Sequence, residues 1–247
     1  MKTALVTGGS RGIGRATALL LAQQGYQVAV NYHQREAAAR EVVTLIHQRG
    51  GKAFSVQADI AEEEQVVAMF RTLDRHGAVL HALVNNAGIL FQQAGIEELS
   101  AERINRVFAT NVTGAFLCCR EAVKRMSLRH GGQGGAIVNV SSAAARSGAP
   151  HEYIDYAASK GAMDTLTKGL SLEVAAQGIR VNGVRPGFIY TDMHADGGEA
   201  GRVDRMAPTI PLQRGGEPEE IAQAILWLLS DAASYITGSI IDAAGGR

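Results

Sequence analysis

Two tyrosines and a lysine lie close together in the stretch HEYIDYAASKGAMDTL, residues 151–166. A free phenol has a pKa of about 10, and a nearby ammonium favours its phenolate form. Such a pair can exchange a proton with an oxygen whose carbon gains or loses hydride. On a helix Tyr156 stands one turn before Lys160, about 6 Å along the axis. Tyr153 stands about 10.5 Å from Lys160, at or just before the helix start. Spacing therefore gives the proton to Tyr156 and leaves Tyr153 as a contact at the substrate mouth. The pair gains meaning only beside a cofactor site and a third polar partner.

A glycine turn supplies the cofactor site. ALVTGGSRGIGRATALLLA, residues 4–22, reads as strand, turn and helix. The helix start offers free N–H groups and a positive dipole end to a pyrophosphate. Gly8, Gly12 and Gly14 permit close backbone approach, with Ser10, Arg11 and Ile13 completing the turn. The spacing is G-x-x-x-G-x-G and not the usual G-x-G-x-x-G. Asp59 and Ile60 in QADI, and Asn86, Ala87 and Gly88 in LVNNAG, follow two further strand candidates. Ligands of open α/β sheets bind beyond the carboxyl ends of strands, so both segments fall on the cofactor side. Asp59 is placed to accept from an adenine amino group. After the second strand Asn31, Tyr32 and His33 face the ribose, with no acid before Glu36. Arg11 and Arg35 suit a phosphate through their planar forks. NADP(H) is favoured on this ground, with NAD(H) as the alternative.

The third partner belongs at the end of AIVNVSS, residues 136–142, where a hydroxyl can stabilise developing charge on oxygen. Strand alternation points Ser141 and Ser142 to opposite sides, so one of them serves.

These residues need a scaffold. Strands are predicted at Thr3–Thr7, Gln27–Asn31, Ala53–Gln57, Ala82–Asn85, Ala136–Val140, Arg180–Val184 and Ser239–Asp242, each short and apolar throughout. Helical periodicity covers Ile13–Gln24, Arg35–Arg49, Glu62–Arg75, Ala101–Ser127, Tyr153–Ala176 and Pro218–Leu229. The alternation predicts an α/β fold: a single Rossmann-fold domain over residues 1–247, with a seven-stranded, doubly wound parallel sheet and helices on both faces. Residues 187–216 break the pattern with Gly, Pro and charge, and are expected to form a substrate lid. His194 in that segment is a candidate substrate contact.

Formal net charge is zero, which argues against nucleic acid and anionic membranes as partners. The first residues are too short a run for a signal segment, and no stretch reaches a membrane span. Cys118 and Cys119 are adjacent and suit neither a disulfide framework nor a zinc site. They are expected to pack inside a helix in a reducing cytoplasm. The histidines show no metal-ligand spacing, so no metal is expected.

In order, TGGSRGIG, NNAG, NVSS, YAASK and RPGFIYT resemble the short-chain dehydrogenase/reductase family, and the likeness runs to TGSIIDAAGG near the end. In look it is nearest to bacterial glucose 1-dehydrogenase-like and 3-oxoacyl-carrier-protein reductase-like members. The resemblance implies an oxidoreductase interconverting a carbonyl and a secondary alcohol. It selects Ser142 over Ser141 and makes Asn111, Ser142, Tyr156 and Lys160 the catalytic set. Asn111 would hold a water linking Lys160 to solvent. Tyr156 and Lys160 would also meet the nicotinamide ribose, and Pro186, Gly187, Ile189 and Thr191 the nicotinamide amide and a phosphate. It further implies a homotetramer. The polar lid suits a sugar or polyol as substrate, and a 3-oxoacyl thioester is the alternative. A catalytically idle NADP-binding redox sensor is the non-enzymatic alternative.

Overall fold

Strands form where the chain is apolar on both faces: β1 (Lys2–Val6), β2 (Gln27–Tyr32), β3 (Lys52–Gln57), β4 (Val79–Asn85), β5 (Gly135–Val140), β6 (Ile179–Pro186) and β7 (Ile240–Ala243). The computed structural model describes residues 1–77 and 79–247. The strands build one sheet in the order β3-β2-β1-β4-β5-β6-β7, and every neighbouring pair is parallel. All seven predicted strands are present, with their ends displaced by at most three residues.

Ten helices are described: α1 (Gly12–Gln23), α2 (Glu36–Gln48), α3 (Glu63–Arg75), α4 (Ala101–Phe108), α5 (Gly114–Met126), α6 (Ala144–Ser147), α7 (Ile154–Val174), α8 (Met193–Asp196), α9 (Arg202–Met206) and α10 (Pro218–Leu229). Alternation along the strands splits the core in two. Val28 and Val30 meet Leu21 of α1, Ile46 of α2 and Ile225 of α10 on one face. Leu5 and Ala29 meet Phe70 of α3, Cys118 of α5 and Met163 of α7 on the other. Both cysteines are buried and free, as packing in a helix requires. Pro218 occupies the first turn of α10, where Glu220 reaches back to the Glu217 amide at 2.8 Å.

The helix predicted over Ala101–Ser127 is not continuous. A π-helical turn, Ala109–Thr113, separates α4 from α5. The cause is local. Asn111 is drawn out of register by two bonds to Ile89: its Oδ1 accepts from the backbone N–H at 2.8 Å, and its Nδ2 donates to the carbonyl at 2.9 Å. Gly114, directly after the turn, lies so close to Ile60 that an added Cβ would stand 2.8 Å from its carbonyl oxygen.

Residues 187–216 are also more regular than predicted, since they carry α8, α9 and a 3-10 turn at Ala207–Thr209. The segment is pinched at its base. Gly216 N–H donates to Phe188 O and Tyr190 N–H donates to Gly216 O, both at 2.9 Å. Among the described residues, no helix is long and apolar enough to cross a membrane.

A buried polar ladder sets α7 on the sheet. Asn85 Nδ2 donates to Asn139 Oδ1 at 2.9 Å, and Asn139 Nδ2 donates to Thr167 Oγ1 at 2.9 Å. Buried polar groups left without partners are costly. Asn139→Ala should therefore lower unfolding free energy by about 2–4 kcal/mol in denaturant titration, through the groups it strands.

Candidate active site

Strand order reverses between β1 and β4, and the crevice beyond their carboxyl ends is where ligands of such sheets bind. Thr7, directly after β1, ties the two strand ends together. Its hydroxyl accepts from Asn86 N and Ala87 N, both at 3.0 Å, and donates to Val84 O at 3.3 Å. Asn86 replies with its amide, donating to Thr7 O at 3.0 Å and Gly8 O at 3.1 Å. The glycine turn then enters α1. Gly8 has φ +60°, in the left-handed region that disfavours side chains. A Cβ on Gly14 would stand 2.5 Å from Asn86 Nδ2 and closer still to Gly8 O. Thr191, from the lid segment, stands over Gly12.

Asn31 is only 2% exposed, and its amide is engaged within the protein. Oδ1 accepts from Gly8 N at 3.2 Å, while Nδ2 donates to Ala58 O at 3.1 Å. Its side chain therefore shapes the turn from behind. Ser10, Arg11, Ile13, Tyr32, His33, Asp59, Ile60, Ala87 and Gly88 line a cleft of about 290 Å³ with it. Asp59 Oδ1 accepts from Ala61 N at 3.0 Å and its other oxygen lies 3.6 Å from His33 Nε2. The cleft suits the phosphate of a nucleotide: a glycine-lined floor lies at a helix start, and the enclosed Arg11 Nη1 has no hydrogen-bond partner.

A second cavity, about 580 Å³, adjoins the first, and Ile13, Asn86, Thr191 and Met193 line both. Its wall holds Ser142, Tyr153, Tyr156, Lys160, Pro186, Gly187, Ile189 and His194. The two serines are separated as alternation requires. Ser141 is turned to α7, its hydroxyl donating to Lys160 O at 3.1 Å. Ser142 Oγ accepts from Ala144 N at 3.1 Å, which leaves its O–H to donate into the cavity. Lys160 Nζ donates to Val140 O at 2.7 Å and lies 5.5 Å from the centre of the Tyr156 ring. Asn111 converges on the same place, since a Cβ on Gly88 would stand 3.4 Å from Asn111 Oδ1 and 3.5 Å from Lys160 Nζ. Its amide is fully engaged, with Nδ2 donating also to Ser159 Oγ at 3.0 Å.

Burial dominates the protonation of this group. It pushes the Tyr156 phenol up to about 12, with the neighbouring Ser142 hydroxyl acting in the other direction. Burial also takes the Lys160 ammonium down to about 8, and Asp164 opposes that fall. The sequence-based expectation that the ammonium lowers the phenol pKa is not met in this arrangement. Taking the charged form of either group out of water is the largest cause of both shifts.

Tyr153 and Tyr156 differ as the helical spacing requires. Tyr153 O–H donates to Gly197 O at 3.1 Å and so fastens the lid segment. His194 Nε2 lies 3.0 Å from Ile189 O, and burial, followed by Arg202, lowers its pKa, so its ring is neutral at pH 7. Arg103 and Thr7 were not singled out in the sequence. Arg103 pairs with buried Asp155 at 2.8 Å and donates to Gln92 O, holding the start of α7 against that loop. Arg202 lies over both the Tyr153 and Phe188 rings, at 4.9 and 5.3 Å, and bonds Glu152. Thr7 alone carried a signal, a hydroxyl at a strand end directly before glycine.

A family model described as enoyl-(acyl carrier protein) reductase matches residues 8–247. The chain belongs to the short-chain dehydrogenase/reductase family. An uncharacterized oxidoreductase of Escherichia coli, YgfF, is 74% identical over 247 residues, all of both chains. Glucose 1-dehydrogenase 2 of Bacillus subtilis is 38% identical, over 99% of this chain and 94% of its own. The 3-oxoacyl-[acyl-carrier-protein] reductase FabG of Staphylococcus aureus is 41% identical, over 99% and 97% respectively. This short-chain dehydrogenase/reductase is accordingly an oxidoreductase, and members of its family use NAD(P)(H).

The close packing at Gly14 generates a test. Gly14→Ala should weaken nicotinamide nucleotide binding by more than tenfold in a fluorescence titration, because the new methyl group displaces either the Gly8 carbonyl or the Asn86 amide.

Proposed function

We propose that this enzyme interconverts a polar carbonyl compound and its secondary alcohol, a sugar or polyol in class, with NADP(H) as the preferred cofactor. The observation that carries the reading is the convergence of the Ser142 hydroxyl, the Tyr156 phenol and Lys160 Nζ on one cavity wall, continuous with the glycine-lined cleft. Gly8, Ser10, Gly12, Ile13 and Gly14 hold the pyrophosphate against the start of α1. Asp59, Ile60, Asn86, Ala87 and Gly88 flank the adenosine half, with Tyr32 and His33 at the ribose and Asn31 bracing the glycine turn behind them. Pro186, Gly187, Ile189 and Thr191 bound the nicotinamide end. Arg11 and Arg35 support NADP(H) over NAD(H), because no acid stands at the end of β2 and guanidinium groups match phosphate.

The bound nicotinamide supplies or accepts the hydride. Ser142 donates a hydrogen bond to the reacting oxygen, and Tyr156, protonated at neutral pH, delivers its proton to that oxygen as charge develops. Lys160 stabilises the phenolate left behind and reaches the nicotinamide ribose. Asn111 acts as a positioning residue, holding Ile89 and Ser159 beside Lys160. Tyr153 and His194 border the substrate.

Assembly as a homotetramer in the cytoplasm completes the reading. The assembly is supported by large apolar side chains exposed on the outer helices: Phe116 on α5, Leu172 on α7 and Trp227 on α10. Sedimentation velocity should give four chains per particle, and a monomer would refute it.

The protonation states set the sign of the pH dependence. As pH rises, the Lys160 charge is lost through about 8 while Tyr156 keeps its proton to about 12. Reduction should therefore be level below pH 8 and fall above it, approaching tenfold per unit in kcat/KM. Lys160→Arg should move that fall upward, because arginine keeps its charge throughout this range. Tyr156→Phe should lower kcat by at least 10²-fold with nucleotide affinity retained. Near-native turnover of the Phe variant would refute the mechanism.

A further inference from the structure

Arg11 and Arg35 already hold carboxylates. Arg11 Nη2 lies 2.5 Å from Asp196 and its Nη1 lies 3.6 Å from Asp192. Arg35 reaches the same two acids, at 3.8 Å from Asp192 and 4.0 Å from Asp196. Arg11 belongs to the glycine turn and Arg35 to the entry of α2. Asp196 is the last residue of α8 and Asp192 directly precedes its start, so both acids come from the lid segment. Both acids border the adenosine cleft through this cluster, and Asp192 lines it directly.

We propose that Asp192 and Asp196 occupy the place of the cofactor phosphate on Arg11 and Arg35, so that a 2′-phosphate and the closed lid compete for the same two guanidinium groups. This rests on the assignment of those arginines to NADP(H). Two cations and two anions form a neutral cluster. A phosphate brought to it gains no net attraction until the carboxylates withdraw, since each acid repels it at the distance from which the arginine attracts. A nucleotide without the 2′-phosphate leaves the four-membered cluster intact. The two acids are thus specificity-determining residues for the cofactor, and they act through the arginines.

Coupling of this kind works in both directions. Binding of NADP(H) releases α8 from the glycine turn, whereas NAD(H) leaves it held. The lid has other fastenings: Tyr153 on Gly197 and His194 on Ile189 at α8, and further along Arg202 on Glu152 and Gln93 donating to Glu199 at 2.9 Å. Release at the cluster therefore removes the hold of α8 on the glycine turn without detaching α9.

Asp192→Asn with Asp196→Asn tests this directly. Their side chains are 63% and 41% exposed, so the exchange leaves the core untouched. Fluorescence titration should show NADPH binding tightened at least tenfold in the double variant, with NADH binding changed less than twofold. An equal change for both nucleotides, or none for either, overturns the proposal. Adding Arg11→Gln to the double variant separates the two levels of the argument. If NADPH affinity then falls, the arginine site stands whatever the aspartates do. If it does not fall, the phosphate assignment itself is wrong, and the competition with it. Hydrogen exchange of the unaltered enzyme supplies a readout independent of any variant. NADPH should speed amide exchange over residues 192–198 relative to NADH, and equal or slower exchange overturns the proposal.

Discussion

The site depends on how the ends of β1 and β4 are held together. Two parallel strands that open a crevice leave their last backbone groups without ladder partners. Here the Thr7 hydroxyl and the Asn86 amide satisfy those groups across the gap. The glycine turn is stretched over that knot, and Asn31 supports it from β2. The shape of the glycine turn is thus set by neutral hydrogen bonds inside the protein before any ligand charge enters. Preorganisation of this kind lowers the ordering cost of binding.

At the other end of the crevice the organising force is desolvation. Tyr156 and Lys160 sit on one face of α7, against a wall that excludes water from both. Each is pushed toward its neutral form, the phenol upward and the ammonium downward. In the proposed mechanism a donor that keeps its proton at neutral pH suits reduction. The developing phenolate then finds a cation nearby in a medium where the attraction is poorly screened. Burial raises the starting barrier to ionisation and strengthens the interaction that answers it.

Much of this was legible in the sequence, and the limits have physical causes. Strands buried on both faces have no alternation to confuse, so seven apolar runs gave seven strands. One turn of helix separated Tyr156 from Tyr153, because the distance to Lys160 follows from rise per residue alone. Alternation likewise set Ser142 apart from Ser141. The π turn was hidden, because its cause is the pull of the Ile89 backbone on Asn111 across the fold. Asn31 reads as a polar group free for ribose until β3 and the glycine turn claim its amide. Arg11 and Arg35 read as open cations, yet their partners lie far along the chain in a segment that the sequence shows only as an irregular stretch. Local periodicity reports backbone well, and it reports poorly which polar group answers which.

The pinch at the base of the lid has a further consequence. Phe188, Tyr190 and Gly216 bring the two ends of the segment side by side, fixed to the end of β6 and the start of α10. A loop whose ends are already joined can change length at small entropic cost, about 0.6 kcal/mol for each doubling. What lies between the ends can be exchanged while the sheet, the cradle and the proton donor stay as they are. The fold is in this sense a socket with a replaceable insert, and divergence in substrate among proteins built this way needs to alter only the insert.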